Sequence, residues 1–143
     1  MIAAISILLF LIFLSISLIH FYWAFGGKWG GDSVIPTKKD GNTFLFNPGI
    51  FATVIVAFGL LSFGIFVLIK SGLIIFQLPD LIDRYGLWMI ASIFLLRAIG
   101  DFNYVGFFKK IKDTKFGKND TNYFSPLCLL IGLLTIILEF NLI

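Results

Sequence analysis

The chain is poor in charge and almost empty of the residues that build metal and redox sites. Of its 143 residues, 13% are Asp, Glu, Lys or Arg, against about 25% in a soluble domain. It holds one cysteine and one histidine. A single cysteine excludes an intrachain disulfide, and the pair excludes the Cys/His clusters that hold structural zinc. Cys128 therefore reads as a reduced thiol in a helix. Neither Gly-x-Ser-x-Gly nor Cys-x-x-Cys occurs. Gly26-Gly-Lys-Trp29 is no phosphate loop, because Trp follows the lysine and the upstream glycine is missing. No metal and no cofactor is implied.

What fills the chain instead is apolar: 59% hydrophobic and 17% aromatic residues. The apolar residues fall in runs of about 20, the length that crosses a hydrocarbon core. The reading is an all-α, polytopic transmembrane four-helix bundle, a single transmembrane domain over 1–143, with spans at 2–23, 49–70, 87–108 and 125–141. The first run opens without Lys or Arg and is followed by no small-residue cleavage site, so it is expected to stay in the protein. Tyr22 and Trp23 suit the membrane–water interface.

The glycines around Trp29 predict a loop that folds back on that interface. Asn47-Pro48 and Ser125-Pro126 mark the starts of the second and fourth spans, as N-cap and first helical residue. Residues 73–86 either extend the second helix or form a short interfacial turn. Glu139 lies near the chain end and is expected to reach the far interface.

Two charges interrupt the third run. Arg97 and Asp101 are four residues apart and would share one helix face, with Tyr104 continuing the stripe. Each alone costs roughly 2.5–3.5 kcal/mol at the centre of a span, so they are expected to pair. An ionisable pair inside a membrane marks a functional site by default. The competing reading is a structural ion pair that fixes helix packing.

Lys28, Lys38 and Lys39 fall in loop 1, and Lys109, Lys110, Lys112, Lys115 and Lys118 in loop 3. Only Lys70 and Arg84 lie toward the other side. Basic loops face the cytoplasm, so both termini are expected outside. Loop 109–118 reads as a topology signal near lipid head groups rather than a nucleic-acid surface. This orientation gathers His20, Trp23, Asp101, Asn103, Tyr104, Tyr123 and Cys128 in one half of the bilayer, where a pocket could open to the cytoplasm. Each half of the chain runs from an aromatic, polar helix end through a Lys-bearing loop to Asn-Pro or Ser-Pro. That pattern is compatible with two parallel helix-hairpin repeats.

Three stretches also resemble a family. His20-x-Tyr-Trp-Ala-x-Gly-Gly-x-Trp-Gly30, Arg97-Ala-Ile-Gly-Asp-Phe-x-Tyr-Val-Gly-Phe-Phe-Lys109 and Ser125-Pro-Leu-Cys-Leu129 are similar to motifs of an uncharacterised family of short bacterial membrane proteins with four predicted spans. The resemblance covers nearly the whole chain and implies a location in the bacterial inner membrane. It implies no activity.

Three functions are compatible with these residues. One is a module that binds a lipid or small amphipathic ligand, with Arg97 holding an anionic group and Trp23, Trp29 and Tyr104 covering the apolar part. A transporting version would need a homodimer. The second is an intramembrane enzyme with His20 as acid or base, Asp101 orienting it and Arg97 stabilising negative charge. The third is an accessory subunit of a larger membrane complex. The candidate site is His20, Trp23, Trp29, Arg97, Asp101 and Tyr104.

Overall fold

The computed structural model describes residues 1–142 and is a bundle of helices. Its elements are α1 (Ile2–Ala24), α2 (Gly31–Val34), α3 (Ile50–Lys70), α4 (Asp80–Ile99), α5 (Lys115–Asn119) and α6 (Ser125–Leu142), with a π-helical turn (Asp120–Phe124) joining α5 to α6. Among the described residues there is no strand, only an isolated antiparallel bridge between Thr37 and Phe44.

Three helical runs, Ile2–Ala24, Ile50–Lys70 and Lys115–Leu142, are long and apolar enough to cross a membrane. At about 1.5 Å per residue the 20 residues of α4 also make some 30 Å. This helix carries Asp80, Asp83, Arg84 and Arg97, however, and is not apolar enough to qualify by composition. It buries one stripe, Leu87, Ile90, Ala91, Phe94 and Ala98, at the three- and four-residue spacing of a helix packed on one side.

The helices pair as α1 with α3 and α4 with α6, and α1 also touches α6. α1 buries Ser6, Leu9, Phe13 and Ser17 along one stripe. Between helices surrounded by lipid, association rests on close packing and interhelical hydrogen bonds rather than on expelled water. Both are present. The Ser17 hydroxyl donates to the Ala57 carbonyl across the α1–α3 contact at 2.7 Å. A Cβ at Gly64 would stand 3.1 Å from the Phe10 ring and 3.2 Å from Phe13 Cβ. Gly132 lets α6 lie against Ala91 and Leu95 of α4. Phe13 sits at the centre, its ring 6.0 Å from Phe63 and 5.4 Å from Phe94.

Several boundaries differ from the sequence reading. The third helix is not 87–108: it begins at Asp80, where Asp80 and Asp83 in the first turn suit the positive end of the helix, and it stops at Ile99. Residues 73–79 do not extend α3, and residues 80–86 form the first turns of α4 rather than an interfacial turn. Gly72, at φ 75°, ends α3, an extended apolar stretch follows, and Lys70 pairs with Asp83 at 3.1 Å to close the link. α3 starts at Ile50 with Gly49 as its cap, past Asn47 and Pro48.

The last helix runs on upstream of Ser125 to Lys115. Pro126 therefore sits inside a helical run. In a regular α-helix its ring would clash with the carbonyl four residues back, at Asn122, and it offers no N–H. The wider π turn at 120–124 takes up that strain. Glu139 does not reach solvent either: it is 6% exposed, and its Oε2 is buried without a hydrogen-bond partner. It belongs to the inward stripe of α6 with Ile131, Thr135 and Leu138, so helix phase rather than distance from the chain end decides its surroundings.

Candidate functional site

The site is built at the end of the bundle where loop 1 (25–49) and loop 3 (100–114) meet. Loop 3 starts by reversing the chain. Gly100 and Gly106 both take φ 89°, a left-handed conformation that costs glycine little. Their backbones lie so close that a Cβ at Gly100 would collide with the Val105 carbonyl, and one at Gly106 with the Ile99 carbonyl. Phe107 N–H returns to the Ala98 carbonyl at 2.8 Å, which satisfies one of the open acceptors at the end of α4.

Asp101 organises this turn. Its Oδ1 accepts from the N–H groups of Asn103 (2.9 Å), Tyr104 (2.7 Å) and Val105 (2.9 Å). Slight burial pushes its carboxyl up, but the three N–H groups outweigh that and hold it below the usual value of 3.8. Asp101 is exposed and does not pair with Arg97. The expected intramembrane bridge fails because the helix that would have aligned the two ends between them.

Arg97 turns instead to a carboxylate that the sequence reading did not single out. Asp120 is fully buried. Its Oδ1 accepts from Arg97 Nη2 at 2.8 Å. Its Oδ2 accepts from Gly106 N–H (2.8 Å), Lys109 Nζ (2.9 Å) and Ser125 Oγ (3.1 Å). Lys109 is buried too, and also donates to the Gly106 carbonyl (2.9 Å) and Thr121 Oγ1 (2.7 Å). Four donors around one carboxylate meet the demand that a buried charge be both paired and hydrogen-bonded. Two cations share that one anion. The Arg97 side chain stays 33% exposed, and its Nη1 is buried without a partner.

This knot ties the end of α4, the glycine turn of loop 3, the π turn and the start of α6 to one point. It fixes where α5 lies. α5 is capped by Thr114, whose Oγ1 accepts from Gly117 N–H at 3.0 Å, and it packs against α2 of loop 1.

Between loop 1, α5, the π turn and the end of α1 opens a cleft of about 680 Å³. Ile19, Trp23, Trp29, Val34 and Phe124 supply its apolar lining, and Ser33, Lys115, Asn119 and Tyr123 its polar groups. Loop 1 folds back over α1 through Gly26 (φ 91°) and Gly30 (φ 76°). Trp23 Nε1 donates to the Trp29 carbonyl at 2.8 Å, and the Tyr22 hydroxyl accepts from Trp29 N–H at 3.4 Å. His20 stands beside Trp23, with ring centres 5.2 Å apart. Its Nδ1 donates to the Ile16 carbonyl at 2.8 Å, which leaves Nε2 as the acceptor nitrogen.

Of the sequence-predicted residues, then, Trp23 and Trp29 line one cleft and His20 adjoins it. Arg97 lies in the Asp120 knot, while Asp101 and the half-buried Tyr104 belong to the loop 3 turn. No hydrogen bond joins His20, Arg97 and Asp101, so the arrangement expected of an acid–base enzyme is not assembled. Asp120, Lys109 and Lys115 were missed as site residues because all three lie in a Lys-rich stretch that reads as a solvated loop. The one local hint was an acidic residue followed at five positions by Ser-Pro.

A family model described as Protein of unknown function (DUF3995) matches residues 13–135. No curated protein and no solved structure matches the chain.

Proposed function

We propose that this chain, which belongs to the DUF3995 family of proteins of unknown function, is an integral membrane protein that binds an anionic, amphipathic molecule in the cleft between loop 1, α5 and the end of α1. The basic loops support a reading in which that cleft faces the cytoplasmic side of a bacterial inner membrane, and, with α4 counted as a fourth crossing, both termini lie outside. The observation that carries the reading is the composition of the cleft. An indole-rich apolar wall faces a rim whose formal charge comes from Lys115, and such mixed walls suit ligands with a fatty part and a charged head.

Arg97 has a different part from the one expected of it. Held by Asp120, it positions α5, and Lys115 takes over the role of anion partner.

The test is charge selectivity in neutral detergent. Purified protein is titrated with dihexanoyl phosphatidylglycerol and with dihexanoyl phosphatidylcholine, and binding is followed by calorimetry. The anionic lipid is expected to bind more tightly, and Lys115→Ala to erase the difference. Equal binding of the two lipids to wild type, or an unchanged preference in Lys115→Ala, overturns the proposal.

A further inference from the structure

The cleft does not end at its apolar wall. On the outer side of α1, Leu18, Ile19, Tyr22 and Trp29 line a second hollow of about 380 Å³, a shallow groove open to the surroundings. Ile19 and Trp29 line both spaces. Trp29 is 73% exposed and stands between them like a fin, its backbone held to α1 by Trp23 and Tyr22. The cleft it lines is completed on its polar side by Ser33, Lys115, Asn119 and Tyr123, and the outer groove by Leu18, Ile19 and Tyr22.

We infer that the two hollows are a single site for an anionic membrane lipid. The phosphate-bearing head lies in the loop cleft beside Lys115, and the start of an acyl chain crosses Ile19 into the groove on α1. This rests on the proposed function and narrows its ligand from any anionic amphiphile to a lipid that enters sideways from the inner leaflet. Three features favour it. The groove opens on the face of α1 where Leu11 and Leu18 are exposed, and in a spanning helix that face meets acyl chains. Of the residues lining the two spaces, the charged one, Lys115, belongs to the loop cleft. Tyr22 and Trp29 belong to the residue types that sit at head-group depth, which puts the junction at the boundary between head and chain.

The experiment compares a whole lipid with its head. Wild-type protein in neutral detergent is titrated with dihexanoyl phosphatidylglycerol and with glycerophosphoglycerol, the same head without chains. The lipid is expected to bind at least about tenfold more tightly, an amount that two buried methylenes supply. Ile19→Phe, which fills the junction, should remove most of that advantage. In a Trp88→Phe background, phosphatidylglycerol brominated near the carboxyl end of its chains should quench the remaining indoles more than phosphatidylcholine brominated at the same carbons.

If glycerophosphoglycerol binds as tightly as the lipid, the cleft takes a soluble anion, and the inference falls together with the amphipathic ligand of the proposed function. If the lipid binds more tightly but chain bromines quench both lipids' complexes alike, the inference falls while the proposed function stands. If neither phosphatidylglycerol nor glycerophosphoglycerol binds, both fall. The wild-type titration and quenching decide the matter even where Ile19→Phe misfolds.

Discussion

Removing the Asp120 carboxylate should be the most damaging polar substitution at the loop end of the bundle. Asp120→Ala leaves Lys109 buried with no counter-charge and strips Gly106 N–H and Ser125 Oγ of their acceptor. Breaking a buried pair by deleting one partner costs about 3–5 kcal/mol. Both members of the Lys109–Asp120 pair are fully buried, so the upper part of that range applies. Arg97→Ala should cost less, about 1–2 kcal/mol, because a third of Arg97 is exposed and screened and Asp120 keeps three donors. Lys109→Met should fall between the two.

Reversible unfolding in mixed micelles, followed by tryptophan fluorescence, measures all three. A double-mutant cycle then separates partners. Arg97 and Asp120 should couple by about 1 kcal/mol or more, whereas Arg97 and Asp101 should be additive to within about 0.5 kcal/mol. Coupling of Arg97 to Asp101 instead, or an Asp120→Ala chain as stable as wild type, would refute the reasoning.

The glycine turn of loop 3 gives a steric test. Gly100→Ala and Gly106→Ala each push a methyl into backbone and should cost more than about 2 kcal/mol. Gly41→Ala, also at positive φ but with open space around it, should cost about 1 kcal/mol or less; equal losses at all three positions would count against the close approach. The buried, unpartnered carboxyl of Glu139 predicts the opposite sign. Glu139→Leu should stabilise the bundle by about 1–3 kcal/mol in the same assay, and a loss of stability would mean that the carboxyl has a partner in the membrane. Asp101 sets a pH dependence. Its depressed carboxyl gives the loop stability that is present above the ordinary value of 3.8 and is lost as pH falls through the lower folded value. Protection of amides 103–105 in hydrogen exchange should hold from pH 8 to pH 5 and fade below about pH 3.8, while Asp101→Ala should lack it throughout.

The spans α1, α3 and α6 were legible because uninterrupted apolar length is a direct record of a lipid crossing. The third helix was misread for the same reason. Phe102, Val105, Phe107 and Phe108 prolong its apolar run, and hydropathy keeps no trace of a backbone that turns left-handed at Gly100. Trp23 and Trp29 could be brought together on paper because they are only six residues apart across flexible glycines. Asp120 could not. Arg97 lies 23 positions before it and Lys109 eleven positions before it, and nothing in the order of residues says that two reversals bring all three to one point. Glu139 shows a smaller failure of the same kind: its place near the chain end suggested water, and the phase of α6 turned it inward.

The widened turn at 120–124 gives the protein two dials where a regular helix has one. In an unbroken α-helix every residue is locked about 100° from the next, so rotating Asp120 toward Lys109 would also rotate Thr135 and Leu138 in the bilayer. A π step holds one surplus residue and absorbs that rotation locally. The electrostatic knot and the lipid-embedded helix can thus be aimed independently. Excising a single residue from 120–124 would keep the helix yet swing the carboxylate by roughly a quarter turn away from its cations.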